Sequence, residues 1–132
     1  MDINRNEIKS LNGSLAPIPK GYNLEHNYEW LTYDNKEKYA NQVIFKNGEK
    51  VIDIYYSKHE SITGRPKCIY VPTSELKSSI IHNHEVKIVK DYSDNYSYVT
   101  SAKFTYNNLF YDIEFVNLSI EEIVSYIRKI LK

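Results

Sequence analysis

Apolar and polar residues alternate on both sides of one Asn-Gly pair, in the stretch QVIFKNGEKVIDIYYS, and this alternation is the strongest constraint on the fold. A period of two residues is that of a β-strand, whose successive side chains point to opposite faces of a sheet. Asn-Gly is a preferred pair for a two-residue hairpin turn, because both central residues of that turn take positive φ. The stretch therefore predicts a β-hairpin that turns at Asn47 and Gly48. Both faces of its second strand are apolar, so we expect that strand inside a sheet.

Further strands are predicted from the same period. Polar residues alternate with larger ones from Tyr22 to Trp30, with Leu24 and His26 expected on one face. The stretches CIYV and HEVKIVKDY are two more candidate strands. A second hairpin is predicted with its turn at the Asn-Asn pair 107–108, because asparagine tolerates left-handed backbone. We expect an antiparallel sheet of five to seven strands.

The last residues of the chain predict an amphipathic helix. Ser119 and Glu122 have the spacing of a capping box, in which each side chain accepts a hydrogen bond from the backbone N–H of the other residue. The apolar residues of this segment recur at helical spacing: Ile120, Ile123, Val124, Ile127, Ile130 and Leu131. We expect this stripe to pack on the sheet. Strands followed by one helix indicate an α+β fold.

The first residues of the chain predict a short N-terminal helix or arm. Asp2 stands at a capping position, and Gly13 supplies a stop. Two prolines then favour extended backbone before the main body begins. We expect residues 1–16 to form this arm and residues 17–132 to form a single α+β domain.

Charge and composition narrow the classes of partner. Seventeen basic residues balance seventeen acidic ones, so the chain has no general attraction for nucleic acid or for anionic lipid. Cys68 is the only cysteine, which excludes an intrachain disulfide. The sequence holds no membrane-spanning apolar run, and its charged N-terminus is no signal peptide. These residues leave the compartment undecided, although the chain as given favours the cytoplasm.

His82 and His84 are the strongest candidates in the sequence for a metal-binding or acid–base site. In an extended strand they would point to the same side, about 7 Å apart, as two metal ligands or an acid–base pair could. A tetrahedral zinc site needs further ligands, and no recognised spacing supplies them. We therefore expect solvated strand-end histidines, and we predict no metal, no cofactor and no catalytic residue. A small hydrolase or nuclease that uses this pair is the alternative.

Tyrosine is the more informative functional signal, with thirteen residues against four phenylalanines. A buried hydroxyl needs a hydrogen-bond partner, so frequent tyrosine favours rings with one edge at the surface. Exposed tyrosines are common at protein interfaces. We predict a binding surface from two groups, one around a polar turn and one on neighbouring segments: Tyr92, Tyr96, Tyr98, Tyr55, Tyr56 and Tyr70. Packing of these rings within the sheet is the alternative.

Several motifs together resemble a known bacterial domain. They are Pro-Lys-Gly-Tyr at 19–22, the hairpin around Asn47-Gly48, AKFTYNNLFYDI at 102–113 and LSIEEI at 118–123. The chain resembles, over residues 17–132, a domain of unknown function from spore-forming Firmicutes. That family usually forms the extracytoplasmic C-terminal part of membrane-anchored or lipoprotein-like proteins, some of them anti-sigma-factor-like. The resemblance implies an extracytoplasmic location if an anchor lies outside this chain, and it implies no catalytic residue.

These observations together favour a non-enzymatic protein-binding or regulatory module whose partner is another protein. An immunity or inhibitor protein is an alternative of the same class, because such proteins are also small and lack catalytic motifs. A hydrolase or nuclease is the alternative from a different class. Convergence of His82 and His84 with a third polar group in a pocket would favour the enzyme. An aromatic patch on an open sheet face would favour the binding module.

Overall fold

The structure, a computed structural model, describes residues 4–31, 38–59, 77–91 and 99–131. Its elements are β1 (Asn4–Glu7), β2 (Asn23–Leu31), β3 (Lys38–Asn47), β4 (Lys50–Ser57), β5 (Lys77–Ile81), β6 (His84–Asp91), β7 (Val99–Tyr106), β8 (Leu109–Val116) and α1 (Ile120–Ile130). The eight strands form one antiparallel sheet in the order β1-β2-β3-β4-β8-β7-β6-β5. The α+β class and the antiparallel sheet with a C-terminal helix are confirmed. Eight strands exceed the predicted five to seven.

The N-terminal helix was wrong, because residues Asn4–Glu7 pair with β2 as an edge strand. A helix there would have carried only three large apolar residues, Ile3, Ile8 and Leu11, too few to stabilise it by packing. As a strand, residues 4–7 instead pair the backbone groups that face β2 with the otherwise open edge of that strand. Strand β5 is the other addition, while the CIYV candidate lies outside the described residues.

Three tight turns connect neighbouring strands, and their positions correct two predictions. Asn47 pairs with Lys50, so the first turn is centred on Gly48 and Glu49, one residue later than predicted. Gly48 has a φ of +59°, and Glu49 has no positive φ, as a type II′ turn requires. The Asn107–Asn108 turn is confirmed, with φ of 51° and 63°.

The third turn places His82 and Asn83 between β5 and β6, with φ of 47° and 66°. His82 is therefore in a hairpin turn and not in a strand. The predicted same-side arrangement with His84 depended on extended backbone at both positions, and the structure contradicts it.

The main core lies between α1 and one face of the sheet. Ser119 and Glu122 form the predicted capping box. Leu118, just before the cap, shares a buried cluster with Ile123, as in a hydrophobic staple. The buried helix residues are Ile123, Tyr126, Ile127 and Ile130, followed by Leu131. Two residues of the predicted apolar stripe are less buried than expected, since Val124 is half-buried and Ile120 is 48% exposed. Tyr126 is buried although it was not part of that predicted stripe.

Polar contacts fix the start of α1 to the β3–β4 hairpin. Lys50 Nζ lies 2.8 Å from Glu122 Oε2. Asn117, with a φ of 63°, donates a side-chain hydrogen bond of 2.9 Å to the Glu49 carbonyl oxygen. The hydrogen bond from Lys50 holds the pKa of the Glu122 carboxyl below its ordinary value. The chain is thus turned sharply out of β8 and onto the helix side of the sheet.

Two buried tyrosines attach the segment between β1 and β2 to this core. The Tyr111 hydroxyl donates to the Leu15 carbonyl oxygen and the Tyr126 hydroxyl to that of Pro17, each at 2.8 Å. Tyr111 is 2% exposed and Tyr126 is 3% exposed. Burial raises the pKa of both hydroxyls above the ordinary value of 10.0. Frequent tyrosine therefore does not by itself indicate surface rings, because these two use their hydroxyls inside the protein.

Replacing Ile127 with alanine should lower the free energy of unfolding by about 2–5 kcal/mol, because its side chain is completely buried. Ile120→Ala on the exposed side of the same helix is the matched control and should change it by about 0.5 kcal/mol or less. Urea unfolding followed by circular dichroism measures both. Equal effects of the two changes would contradict the packing of α1 described here.

Alkaline conditions should destabilise the protein through Tyr126. The folded state holds this tyrosine neutral, whereas the unfolded chain loses the proton near pH 10.0. The stability that the neutral Tyr126 contributes to the folded state is therefore fully present below pH 10. Above pH 10 the free energy of unfolding falls by about 1.4 kcal/mol per pH unit. Unfolding free energies measured between pH 8 and pH 11 should decline less steeply in Tyr126→Phe than in the wild type. Equal slopes would refute this account of the hydroxyl.

Candidate binding surface

The face of the sheet away from α1 carries a second, smaller buried cluster. Trp30, Ala40 and Tyr55 form its centre, and Tyr28 and Tyr39 pack against them. Ala40 and Tyr55 follow from the two-residue period, because they alternate along their strands with main-core residues such as Val43 and Ile54. Tyr39 is the extra residue of a bulge in β3, since Trp30 lies opposite Ala40 and Leu31 opposite Lys38. We call these five residues the aromatic cluster. Its indole and the Tyr55 ring lie 6.0 Å apart between centroids.

A bulge in β2 adds a histidine to this face. Leu24 lies opposite Phe45 and His26 lies opposite Ile44, so Glu25 is an extra residue in the strand. The bulge directs Leu24 toward the main core side and His26 toward the aromatic cluster. The His26 ring stacks on Tyr28 with centroids 5.0 Å apart. The prediction of one continuous face through Leu24 and His26 was therefore wrong.

Strand β1 contributes charged side chains beside these rings. The Arg5 guanidinium carbon lies 4.1 Å from the Tyr28 ring centroid and 5.5 Å from that of Trp30, which is cation–π geometry. His26 Nδ1 donates to Glu7 Oε1 at 3.0 Å. Within the described part of the chain, Arg5 has no carboxylate at ion-pair distance. Its N–H groups therefore remain available to an acceptor from outside these residues.

A chain of hydrogen bonds continues from the cluster across β3 to β4. Trp30 Nε1 donates to Gln42 Oε1 at 3.0 Å, and Gln42 Nε2 donates to Asp53 Oδ1 at 2.9 Å. Asp53 is half-buried, and Gln42 is one cross-strand partner. Farther along this face, Lys103 Nζ lies 3.5 Å from Asp112 Oδ2. These contacts hold the surface in a defined arrangement.

The two histidines of the enzyme alternative do not form one site. His82 Nδ1 donates to the Leu131 carbonyl oxygen at 2.8 Å, at the end of α1. The His84 ring meets Tyr106 edge to face, with centroids 5.2 Å apart. A groove of about 470 Å³ at the β7–β8 turn includes His84, but its other lining residues are uncharged: Thr105, Tyr106, Asn107, Asn108, Leu109 and Phe110. The described residues contain no group of three or more side chains that could hold a metal ion.

The structure describes only two of the six tyrosines predicted to form a binding surface. Tyr55 is 4% exposed in the aromatic cluster, and Tyr56 is 6% exposed in the main core, where its ring lies 5.7 Å from that of Tyr111. Both rings are too buried to offer much area to a partner. The other four lie outside the described residues: Tyr70, Tyr92, Tyr96 and Tyr98.

Sequence reasoning missed Arg5, Tyr28 and Trp30 as a site. The alternation of His26, Tyr28 and Trp30 was visible, but it was assigned only to strand formation. Nothing in the sequence indicated that Arg5 would lie over these rings, because that contact depends on β1 pairing with β2.

No family model, curated protein or solved structure matches this chain. The resemblance to the domain from spore-forming Firmicutes therefore stays a prediction. None of the described helices is long and apolar enough to cross a membrane.

Replacing Gln42 with leucine should destabilise the protein by about 1–3 kcal/mol, because the Trp30 indole N–H would lose its acceptor in a buried position. The same change in a Trp30→Phe background should cost less, since no indole N–H remains there. Thermal and urea unfolding of the four proteins in this cycle provide the comparison. An equal cost in both backgrounds would show that the Trp30–Gln42 hydrogen bond contributes nothing.

Proposed function

We propose that this protein is a non-enzymatic protein-binding module whose partner contacts the accessible side of the aromatic cluster, at Tyr28, and the adjoining Arg5. The observation that carries the proposal is the stack of Arg5 on Tyr28 and Trp30 at one side of a sheet face. Tryptophan, tyrosine and arginine are the residue types that most often dominate the energy of protein interfaces. Here the three lie together on paired strands.

The arrangement suits recognition because little order has to be created on binding. Trp30 is 9% exposed and hydrogen-bonded to Gln42, so it forms a rigid base for the surface. Tyr28 is half-buried and retains an accessible part, and Arg5 is exposed above it. Stacking holds the guanidinium in place while leaving its N–H groups for a carboxylate or a carbonyl oxygen of the partner. A surface that is ordered in advance loses less entropy on association.

The test is a differential capture followed by affinity measurement. Immobilised wild-type protein, Tyr28→Ala and Ile120→Ala are each incubated with an extract of the native host, and bound proteins are identified by mass spectrometry. Ile120, 48% exposed on the helix, is the matched control for loss of an exposed apolar group elsewhere. The proposal predicts a protein that the wild type and Ile120→Ala retain and that Tyr28→Ala loses.

The captured protein is then purified and titrated against each variant by calorimetry. Tyr28→Ala and Arg5→Ala should each weaken binding by about tenfold or more, the effect of removing an interface residue worth at least 1.4 kcal/mol. Ile120→Ala should leave the dissociation constant within about twofold. Affinities of Tyr28→Ala and Arg5→Ala within twofold of wild type would exclude this surface as the binding site.

A further inference from the structure

The pairing of β1 with β2 shows which residues of β1 point their backbone N–H and C=O groups to the outer edge of the sheet. Among the described strands, β1 is the last in the sheet and pairs only with β2. The Ile8 N–H donates to the Asn27 carbonyl oxygen at 2.8 Å, one step beyond the Glu7–Tyr28 pair. Hydrogen-bonded and non-hydrogen-bonded pairs alternate in an antiparallel ladder.

It follows that the backbone groups of Asn4 and Asn6 point toward β2, whereas those of Arg5 and Glu7 point to the outer edge. The side chains of Arg5 and Glu7 both lie on the face of the aromatic cluster, against Tyr28 and His26 respectively. The two residues whose backbone groups point away from every described strand are thus also the two charged residues of β1, and their charges are opposite.

This pattern is complementary to itself. If a second β1 is laid antiparallel along the edge and centred on Asn6, Arg5 of each copy lies opposite Glu7 of the other. The two facing pairs are also those whose backbone groups point outward, so they can exchange four N–H···O hydrogen bonds. Opposite charges in directly facing positions stabilise strand pairs.

We propose that two copies of this protein associate through β1, in antiparallel pairing centred on Asn6, to form one continuous sheet. A short, charged edge strand usually prevents two copies of a protein from pairing, because the pairing places equal charges opposite one another. Here the order of basic, neutral and acidic residues reverses that effect, since the antiparallel arrangement brings unlike charges together. The two-fold axis lies normal to the sheet, so both aromatic clusters share one face of the dimer.

This self-association goes beyond the proposed function and requires no other protein. The paired segment is four residues long, below the size of a typical stable interface. We therefore expect a weak dimer, with a dissociation constant on the order of 10–100 μM.

The experiment is sedimentation equilibrium on the purified full chain, over concentrations from about 5 μM to 500 μM, which bracket the expected dissociation constant. Arg5→Glu and Glu7→Arg, each alone, place like charges opposite one another at both positions and should weaken the dimer by about tenfold or more. An equimolar mixture of these two variants places an acid opposite a base at both positions and should dimerise with an affinity near that of wild type. The double variant, with both charges reversed, should do the same.

Amide hydrogen exchange distinguishes this edge from any other contact. Protection of the Arg5 and Glu7 amides should rise with protein concentration, because they donate between copies, while the Asn6 amide, which faces β2, should not depend on concentration. Circular dichroism and melting temperature confirm that each variant is folded. A wild type that remains monomeric at every concentration would overturn the proposal. So would a mixture of the single variants that is no more dimeric than either alone, or a dimer whose Arg5 and Glu7 amides stay unprotected.

Discussion

In the part of the chain that the structure describes, one short helix lies on a much wider sheet, and this mismatch organises the fold. Eight strands about 4.8 Å apart span roughly 34 Å, whereas the eleven residues of α1 extend only about 16 Å. A helix of this size cannot cover the whole face on which it lies. The segment between β1 and β2 covers another part of it, and the hydroxyls of Tyr111 and Tyr126 hold that segment by its carbonyl groups. These two tyrosines therefore extend the core beyond the reach of the helix.

The opposite face is stabilised in a different way. The described part of the chain places no helix on it, and its apolar residues gather into one small cluster around Ala40. Polar side chains on the neighbouring strands are tied by specific hydrogen bonds, such as those of Gln42. A face of this kind keeps large rings ordered and still partly accessible. That combination suits an interface, and it is the physical basis of the proposal that a partner binds here.

Local signals were predictable from the sequence, and contacts between distant segments were not. The Asn107–Asn108 turn and the capping box at Ser119 depend on residues a few positions apart, and both were predicted correctly. The turn near Gly48 was misplaced by one residue because glycine satisfies either of two turn types, and the pairing of β3 with β4 decides between them. Residues Asn4–Glu7 form a strand because the edge of β2 is open to pairing, and no local sequence pattern reveals that edge.

The same distinction explains the candidate site. The tyrosine excess directed attention to aromatic rings, but composition does not tell which rings are buried with their hydroxyls satisfied, as Tyr126 is. Tyr28 and Trp30 shared a predicted strand, yet they became a candidate surface only when the fold placed Arg5 and Ala40 beside them. A surface built from three strands is a property of their register.

The central claim is that the partner binds the aromatic cluster, and chemical-shift mapping tests it most directly. Trp30 is the only tryptophan, so its indole N–H gives a single resonance from the middle of the cluster. When the purified partner is titrated into isotope-labelled protein, this resonance and the amides of Tyr28 and Ala40 should shift or broaden, while those of α1 remain unchanged. Binding accompanied by changes in α1 alone, with the Trp30 indole unaffected, would contradict the account.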